Sequence, residues 1–384
     1  MTVPAMNVLI LTCSTGEGQN SLALAVEESL RKRSIPCRVK DALQFFPRQI
    51  AKTISEGHVW MYRHLPKVYG RGYAQAERHP AAFDRGSAVY SLLETGTDRL
   101  YDFLRSGVYD CVICPHVIPS LMLTILRRKW DGTSFYACNI ATDYTCSPMT
   151  GESDLDAYFV PDAKIVKEFE NAGVDPKKIH VTDGIPVRHE FYNKIRKPEA
   201  KKLVGIDPDA RHILMMFGSM GAGPMRRLTE ALRCRIGSDE VLTVVCGTNT
   251  RTLADLRIRN LLRKNIRALG YVQNTCLLMD SADLFITKPG GISTSEAVVK
   301  RLPMVLENRV SACENYNLKI FCEAGCAIAQ EDPEELAVQA IRLLRSPAVL
   351  ETMAGALIRR RIAAEEVTEI LLRETCRKAG ISGK

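Results

Sequence analysis

Three loops with closely spaced glycines each follow an apolar run of strand length and hold the residue types best suited to chemistry. The most informative run is Asp283-Leu284-Phe285-Ile286-Thr287-Lys288-Pro289-Gly290-Gly291-Ile292-Ser293-Thr294-Ser295-Glu296-Ala297. A strand ends at Thr287. Pro289, Gly290 and Gly291 make a turn in which backbone can approach a ligand, and Ser293-Thr294 opens a helix. Amide groups at such a helix start, with the positive end of its dipole, are how proteins hold a diphosphate. Glu296, one turn inside, is placed to accept hydrogen bonds from a ribose. A helix start with an ordinary Ser/Thr cap is the plainer reading of the same residues.

The second loop, Phe217-Gly218-Ser219-Met220-Gly221-Ala222-Gly223-Pro224, again exposes backbone amides after a strand. Ser219 and Met220 are expected near phosphates or an acceptor. The third, Ser14-Thr15-Gly16-Glu17-Gly18-Gln19-Asn20-Ser21, nearly spells a dinucleotide fingerprint, with Asp41 about 20 residues on. Its third glycine is Ser21, however, and the better phosphate loop lies in the other half of the chain, so a nicotinamide enzyme is not expected.

These loops need strands to carry them, and two alternating series supply the strands. The first runs through Val8–Thr12, Cys37–Val39, Asp110–Cys114, Phe135–Ile140, Tyr158–Val160 and His180–Thr182. The second runs through Ile213–Phe217, Val241–Cys246, Ile266–Leu269, Leu284–Thr287, Met304–Leu306 and Ala327–Ala329. Near-continuous apolar strands separated by helices predict α/β folding, with parallel sheets covered on both faces. The expected plan is two Rossmann-like lobes facing across a cleft, 1–192 and 210–358. Segment 193–209 reads as a linker, 42–105 as a helical insertion, and 359–384 as a helix that packs back on the first lobe. Ligands of such sheets sit at the carboxyl ends of strands, where the strand order switches.

At 384 residues, 46% apolar and 25% charged, the composition is that of an ordinary globular chain with no membrane-spanning run. No signal-peptide pattern is expected at the N-terminus. Most of the thirteen cysteines lie in apolar segments, and Cys111-x-x-Cys114 sits in a predicted buried strand, so structural thiols in a reducing cytosol are expected. The formal charge is +8, and residues 31–90 hold twelve Lys/Arg against four acids. Phe45, Phe46, Trp60, Tyr62, Tyr69, Tyr73, Phe83 and Tyr90 lie among them. Basic residues interleaved with aromatics suit an anionic membrane face, and suit single-stranded nucleic acid as well. A solvated basic helix pair with core aromatics is the plainer alternative.

Taken together the runs resemble the monogalactosyldiacylglycerol synthase and processive diacylglycerol glucosyltransferase family. Its members are related to the N-acetylglucosaminyltransferase that makes the peptidoglycan lipid intermediate. The landmarks in the first half are Thr15-Gly16-x-Gly18-x-Asn20-Ser21, Ala141-Thr142-Asp143-Tyr144, Tyr158-Phe159-Val160-Pro161 and Gly184-Ile185-Pro186-Val187. In the second half they are Gly218-Ser219-Met220-Gly221, Val245-Cys246-Gly247-Thr248-Asn249, Leu269-Gly270-Tyr271-Val272, the run from Thr287 to Glu296, and Glu314-x-x-Asn317. The resemblance implies a GT-B fold and inverting transfer of a hexose from a UDP-sugar to a membrane lipid, without a metal or other cofactor. It assigns Tyr271 and Val272 to the nucleobase, and Pro289, Gly290, Gly291 and Ile292, with the helix start at Ser293-Thr294, to the diphosphate. Glu296 goes to ribose, and Glu314 and Asn317 to the sugar. Gly218, Ser219, Met220, Gly247 and Asn249 complete the expected donor site, and Thr15, Gly16, Gly18 and Asn20 an acceptor or phosphate loop. It makes the 31–90 segment the docking surface for an anionic membrane, not for nucleic acid, on a peripheral cytoplasmic enzyme.

Two positions depart from the family. Its glycine loop ends Gly-His, where His is a candidate base. Here Gln19 occupies that place and cannot take a proton. A His usually follows the Thr-Asp pair, where this chain has Cys146. The base is therefore expected to be Asp143, with His116 in Cys114-Pro115-His116 the alternative. Asp154-Leu155-Asp156 resembles a metal-binding DxD but reads as loop. A sugar-nucleotide-binding protein without catalysis, or a transferase for a soluble or polyprenyl-linked acceptor, are the competing expectations.

Overall fold

A computed structural model describes residues 6–64, 71, 75, 83–130, 134–307, 313–358 and 361–378. The chain divides into two units, Met1–His189 with Arg360–Lys384, and Glu190–Arg359. The first contains strands β1 (Val8–Thr12), β2 (Cys37–Asp41), β3 (Cys111–Cys114), β4 (Tyr136–Ile140), β5 (Ala157–Val160) and β6 (Ile179–Val181). They form one parallel sheet in the order β2-β1-β3-β4-β5-β6. Its helices are α1 (Glu17–Lys32), α2 (Arg48–His64), α3 (Ala88–Gly107), α4 (Val117–Lys129) and α5 (Val166–Asn171). β1, β3, β4 and β5 are buried at every residue, as strands covered on both faces must be. Cys111, Cys114 and Cys138 fill that core, and burial pushes the thiols of Cys114 and Cys138 far above their usual range. The CxxC is inert packing.

The second unit runs through α6 (Lys197–Leu203), β7 (Arg211–Met216), α7 (Met225–Arg233), β8 (Glu240–Val245), α8 (Thr250–Arg259), β9 (Ile266–Leu269) and α9 (Thr275–Ser281). It continues through β10 (Leu284–Thr287), α10 (Gly291–Lys300), β11 (Met304–Glu307), α11 (Cys313–Glu323), β12 (Ala327–Gln330), α12 (Pro333–Leu344) and α13 (Pro347–Gly355). Its parallel sheet has the order β12-β11-β10-β7-β8-β9. The last helix, α14 (Ala363–Lys378), belongs to the first unit. There it buries Val367 and Leu371 and pairs Glu365 with Lys32, Glu369 with Arg33, and Lys378 with Asp156.

Segment 193–209 is not a free linker. It carries α6 and folds as part of the second unit, because the lysines that made it look solvated are spent on ion pairs. Lys197 and Lys201 both reach Asp283, at 2.8 and 2.9 Å, and Lys201 also reaches the Ala210 carbonyl at 2.7 Å. The buried Lys300–Asp280 pair holds the Asn193 carbonyl at 2.9 Å. The 31–90 segment also divides. Phe45, Phe46, Phe83 and Tyr90 are core residues, whereas Trp60 is exposed. The side chains of Tyr62, Arg63, Lys67, Tyr69, Tyr73 and Arg78 lie outside the described residues. Among the described residues no helix is long and apolar enough to cross a membrane.

At the amino end of β7 the His212 ring is fully buried between two hydroxyls, Thr243 Oγ1 at 2.8 Å from Nε2 and Ser281 Oγ at 3.1 Å from Nδ1. Burial pushes its pKa down to about 4, so the folded ring stays neutral where an unfolded histidine protonates. The stability it supports is present above about pH 6.5 and is lost as pH falls toward 4, by about 3 kcal/mol. Comparing urea midpoints over this range, His212→Gln should show a shallower loss than the parent chain. Equal slopes would assign the titration to another group.

Candidate active site

The order of the second sheet reverses between β7 and β10, which pair directly. Loops leaving their carboxyl ends therefore meet at a switch point, the place where parallel sheets take ligands. After β7 the chain turns through Gly218, Gly221 and Gly223 at φ of +68°, +57° and +154°. After β8 it turns through Gly247 at +55°. The two turns interlock. A Cβ on Gly221 would stand 2.0 Å from the Cys246 carbonyl oxygen, and one on Gly247 would stand 2.0 Å from that of Ser219. The Thr248 amide donates to the Ser219 carbonyl at 2.8 Å. Asn249 caps α8 by accepting from the Thr252 amide at 3.0 Å and donates to the Gly221 carbonyl at 3.1 Å. Gly247 and Asn249 thus hold the first loop in place, which leaves Gly218, Ser219 and Met220 half-buried at the edge.

After β10 the turn Lys288-Pro289-Gly290 leads straight into α10. Gly290 is the N-cap and has no side chain with which to cap the helix itself. Thr294 Oγ1 donates backward to the Gly290 and Gly291 carbonyls at 2.8 and 3.2 Å. The amide end of α10, at Gly291, Ile292 and Ser293, follows β10 directly at the switch point. Lys288 was not singled out from the sequence, where only its place between a strand and a Pro-Gly-Gly turn marks it. Its Nζ lies 2.5 Å from Glu314 Oε1. A Cβ on Gly218 would lie 3.5 Å from its Cε, and one on Gly290 would lie 3.8 Å from its Nζ. The ammonium therefore lies beside both loops. Glu314 and Asn317, both buried, come from α11, and Asn317 Nδ2 donates to the Pro289 carbonyl at 2.9 Å. Glu296 is buried in α10. Tyr271, exposed, and Val272 follow β9, three strands from β10.

The first sheet reverses between β1 and β3. Thr15, buried after β1, has its hydroxyl 3.5 Å from His116 Nε2 at the end of β3. His116 Nδ1 accepts the Ile118 amide at 3.2 Å and caps α4. Asp143 is half-buried one strand over, after β4, with Oδ2 3.5 Å from the Thr142 hydroxyl. Gly16 is the N-cap of α1 without a side-chain cap. Gly18 and Gln19 lie in the first turn, where Gln19 Oε1 is buried without a hydrogen-bond partner among the described residues. Asn20 Nδ2 reaches Glu17 at 3.4 Å. Asp41 is occupied locally, accepting from the Leu43 amide at 2.9 Å. The Cys146 amide donates to Glu168 at 3.2 Å. Both acids of the DxD run are ion-paired, Asp154 with Lys178, and Asp156 with Arg127 and Lys378. Burial alone would raise the Asp156 carboxyl, but these two cations hold it below its usual value.

A family model described as monogalactosyldiacylglycerol (MGDG) synthase matches residues 19–187. The processive diacylglycerol β-glucosyltransferase of Bacillus licheniformis is 27% identical over 289 residues, 71% of this chain and 74% of that protein. The Bacillus cereus enzyme of the same name is 26% identical over 390 residues, covering 96% and 93%. Among solved structures, MnaA of S. aureus with UDP superposes with a TM-score of 0.66 at 12% identity, over 99% of this chain and 98% of that one. MurG of Acinetobacter baumannii does so at 0.62 and 12%, over 96% and 99%. The chain is a glycosyltransferase of GT-B fold, similar over residues 19–187 to the monogalactosyldiacylglycerol synthases. In this transferase the two glycine turns of the second unit tolerate no added side chain at Gly221 or Gly247 without a backbone shift. Gly247→Ala meets both a backbone clash and a left-handed φ and should destabilise the chain by about 2 kcal/mol or more. Gly325→Ala, at φ +74° in open space, should cost only the conformational part, about 1–2 kcal/mol. Chemical denaturation of both variants reads the difference.

Proposed function

We propose that this chain transfers a hexose, with inversion, from a UDP-sugar to a diacylglycerol-type lipid at an anionic membrane surface. One observation carries the reading: the amide end of α10, the Gly218-Ser219-Met220 turn and the Lys288 ammonium converge on one switch point. That is a positive site for a diphosphate. From β10 to Tyr271 after β9 is three strand spacings, about 14 Å, the reach of a nucleoside diphosphate laid across the edge. Glu296 is the ribose acceptor, and Glu314 and Asn317 face the sugar. The named activity of the curated relatives on diacylglycerol supports the acceptor.

In the reaction the acceptor oxygen forms its bond to the anomeric carbon as the bond to the diphosphate breaks on the opposite side. Asp143 takes the hydroxyl proton. Lys288 and the α10 amides stabilise the leaving diphosphate, the charge a metal would otherwise meet. His116 is the weaker base. Its Nδ1 lone pair is spent on the Ile118 amide, so its neutral ring carries the proton on Nε2, facing Thr15.

Incubation with a panel of nucleotide sugars, diacylglycerol vesicles and EDTA should yield a glycolipid whose mass names the sugar and whose anomeric proton coupling shows the β configuration. No glycolipid from any donor, or glycolipid only with added divalent metal, would overturn the reading. Asp143→Asn should lower turnover by at least about 10²-fold while UDP still binds. Lys288→Met and Glu296→Ala should each weaken UDP binding by about 1–3 kcal/mol in calorimetry. Unchanged affinity in both variants would remove the donor assignment.

A further inference from the structure

We propose that the loop joining α8 to β9 is a membrane contact, a leucine wedge flanked by Arg263 and Lys264 that enters an anionic lipid surface. α8 ends at Arg259, and Ile258, Leu261 and Leu262 stand 76%, 82% and 93% exposed. The Leu261 amide reaches the Ile258 carbonyl at 3.4 Å, so the turn prolongs helical spacing and groups these three side chains on one side.

Their exposure is built in, because polar bonds pin the loop from beneath. Asn260 is buried with Nδ2 on the Leu256 carbonyl at 2.8 Å. Asn265 Nδ2 donates to the Gly237 and Glu240 carbonyls at 3.0 and 3.2 Å, and its own carbonyl accepts the Leu242 amide at 2.9 Å. With the polar side chains turned inward, the leucines have only solvent to face. Adjacent protruding apolar residues of this kind mark an interaction surface.

Charge names the partner. Residues 251–267 carry six Lys/Arg against a single acid, Asp255, which Arg259 engages at 2.8 Å. Arg263 and Lys264, beside the leucines, are exposed and have no acidic partner among the described residues. The acids at the same end of the sheet, Asp239 and Glu240, are held by Arg211 and Arg345. An exposed apolar tip flanked by the unneutralised Arg263 and Lys264 fits anionic headgroups above an acyl layer. The loop precedes β9 and so lies at the amino edge of the second sheet, the opposite edge from Lys288. It is no part of the donor site, and the contact stands whether or not the acceptor is diacylglycerol.

The test is co-sedimentation of the full chain with phosphatidylcholine vesicles containing phosphatidylglycerol. Leu261→Ser/Leu262→Ser should lower the partition coefficient by at least about 10-fold, the loss expected when two leucines no longer enter the interface. Arg263→Ser/Lys264→Ser should blunt both the phosphatidylglycerol dependence and the weakening by salt. Circular dichroism and turnover on a detergent-dispersed acceptor should match the parent chain in both. Partition unchanged in the leucine variant overturns the proposal. So does a leucine variant whose only change is a lower mass in solution, which would mean that a second copy of the chain covers the loop. Absence of turnover in every form would count against the transferase reading and leave the partition result to stand by itself.

Discussion

A cation at the end of a buried parallel strand must be neutralised, and in this chain that constraint sets the geometry at the carboxyl edge of the second sheet. The Lys288 side chain is 19% exposed and that of Glu314 5%, and the ion pair between them ties the β10 turn to α11. Desolvating such a pair is costly, and breaking it by removing one partner would leave an uncompensated buried charge. Asn317 adds a bond to the Pro289 carbonyl from the same helix. An anion arriving at the amide end of α10 meets an ammonium already oriented, and needs no rearrangement of the loop to find it. The interlocked glycine turns after β7 and β8 keep that approach clear, because any side chain at Gly221 or Gly247 would have to occupy backbone.

The first unit repeats the architecture with different residues at the switch point. Thr15 and His116 contact one another there, and the histidine acts as a helix cap with its remaining nitrogen toward the loop. A glutamine occupies the first turn of α1, and the proposed reaction therefore draws on a carboxylate one strand over. Asp143, at the end of β4, is half-buried at the carboxyl edge of that sheet. The aspartates of the DxD run could not serve, since Arg127, Lys178 and Lys378 already hold them.

Charge in this protein separates into structural and available sets. Lys197, Lys201, Lys300 and Lys378 are consumed in joining segments to their own unit. Lys32 and Arg33, inside the basic stretch 31–90, anchor α14. The unneutralised cations that matter for a surface are therefore fewer than a count suggests, and part of them sits on the α8–β9 loop, outside the stretch that composition singled out.

Patterning along the chain determined the fold class. Runs of strand length spaced by helices, the central ones near-continuously apolar, are satisfied by parallel sheets whose central strands are buried on both faces, and each of the twelve matches an observed strand. The glycine turns and the helix start after Thr287 were legible too, because a positive φ or a close backbone approach restricts the residue type locally. What periodicity could not carry was pairing between residues far apart in sequence. Lys288 with Glu314, His116 with Thr15, the lysines of 197–201 with Asp283, and the leucines of 261–262 left facing solvent all depend on which surfaces meet. That is a property of packed tertiary structure, since a charge or an apolar side chain reads the same in sequence whether it is satisfied or exposed.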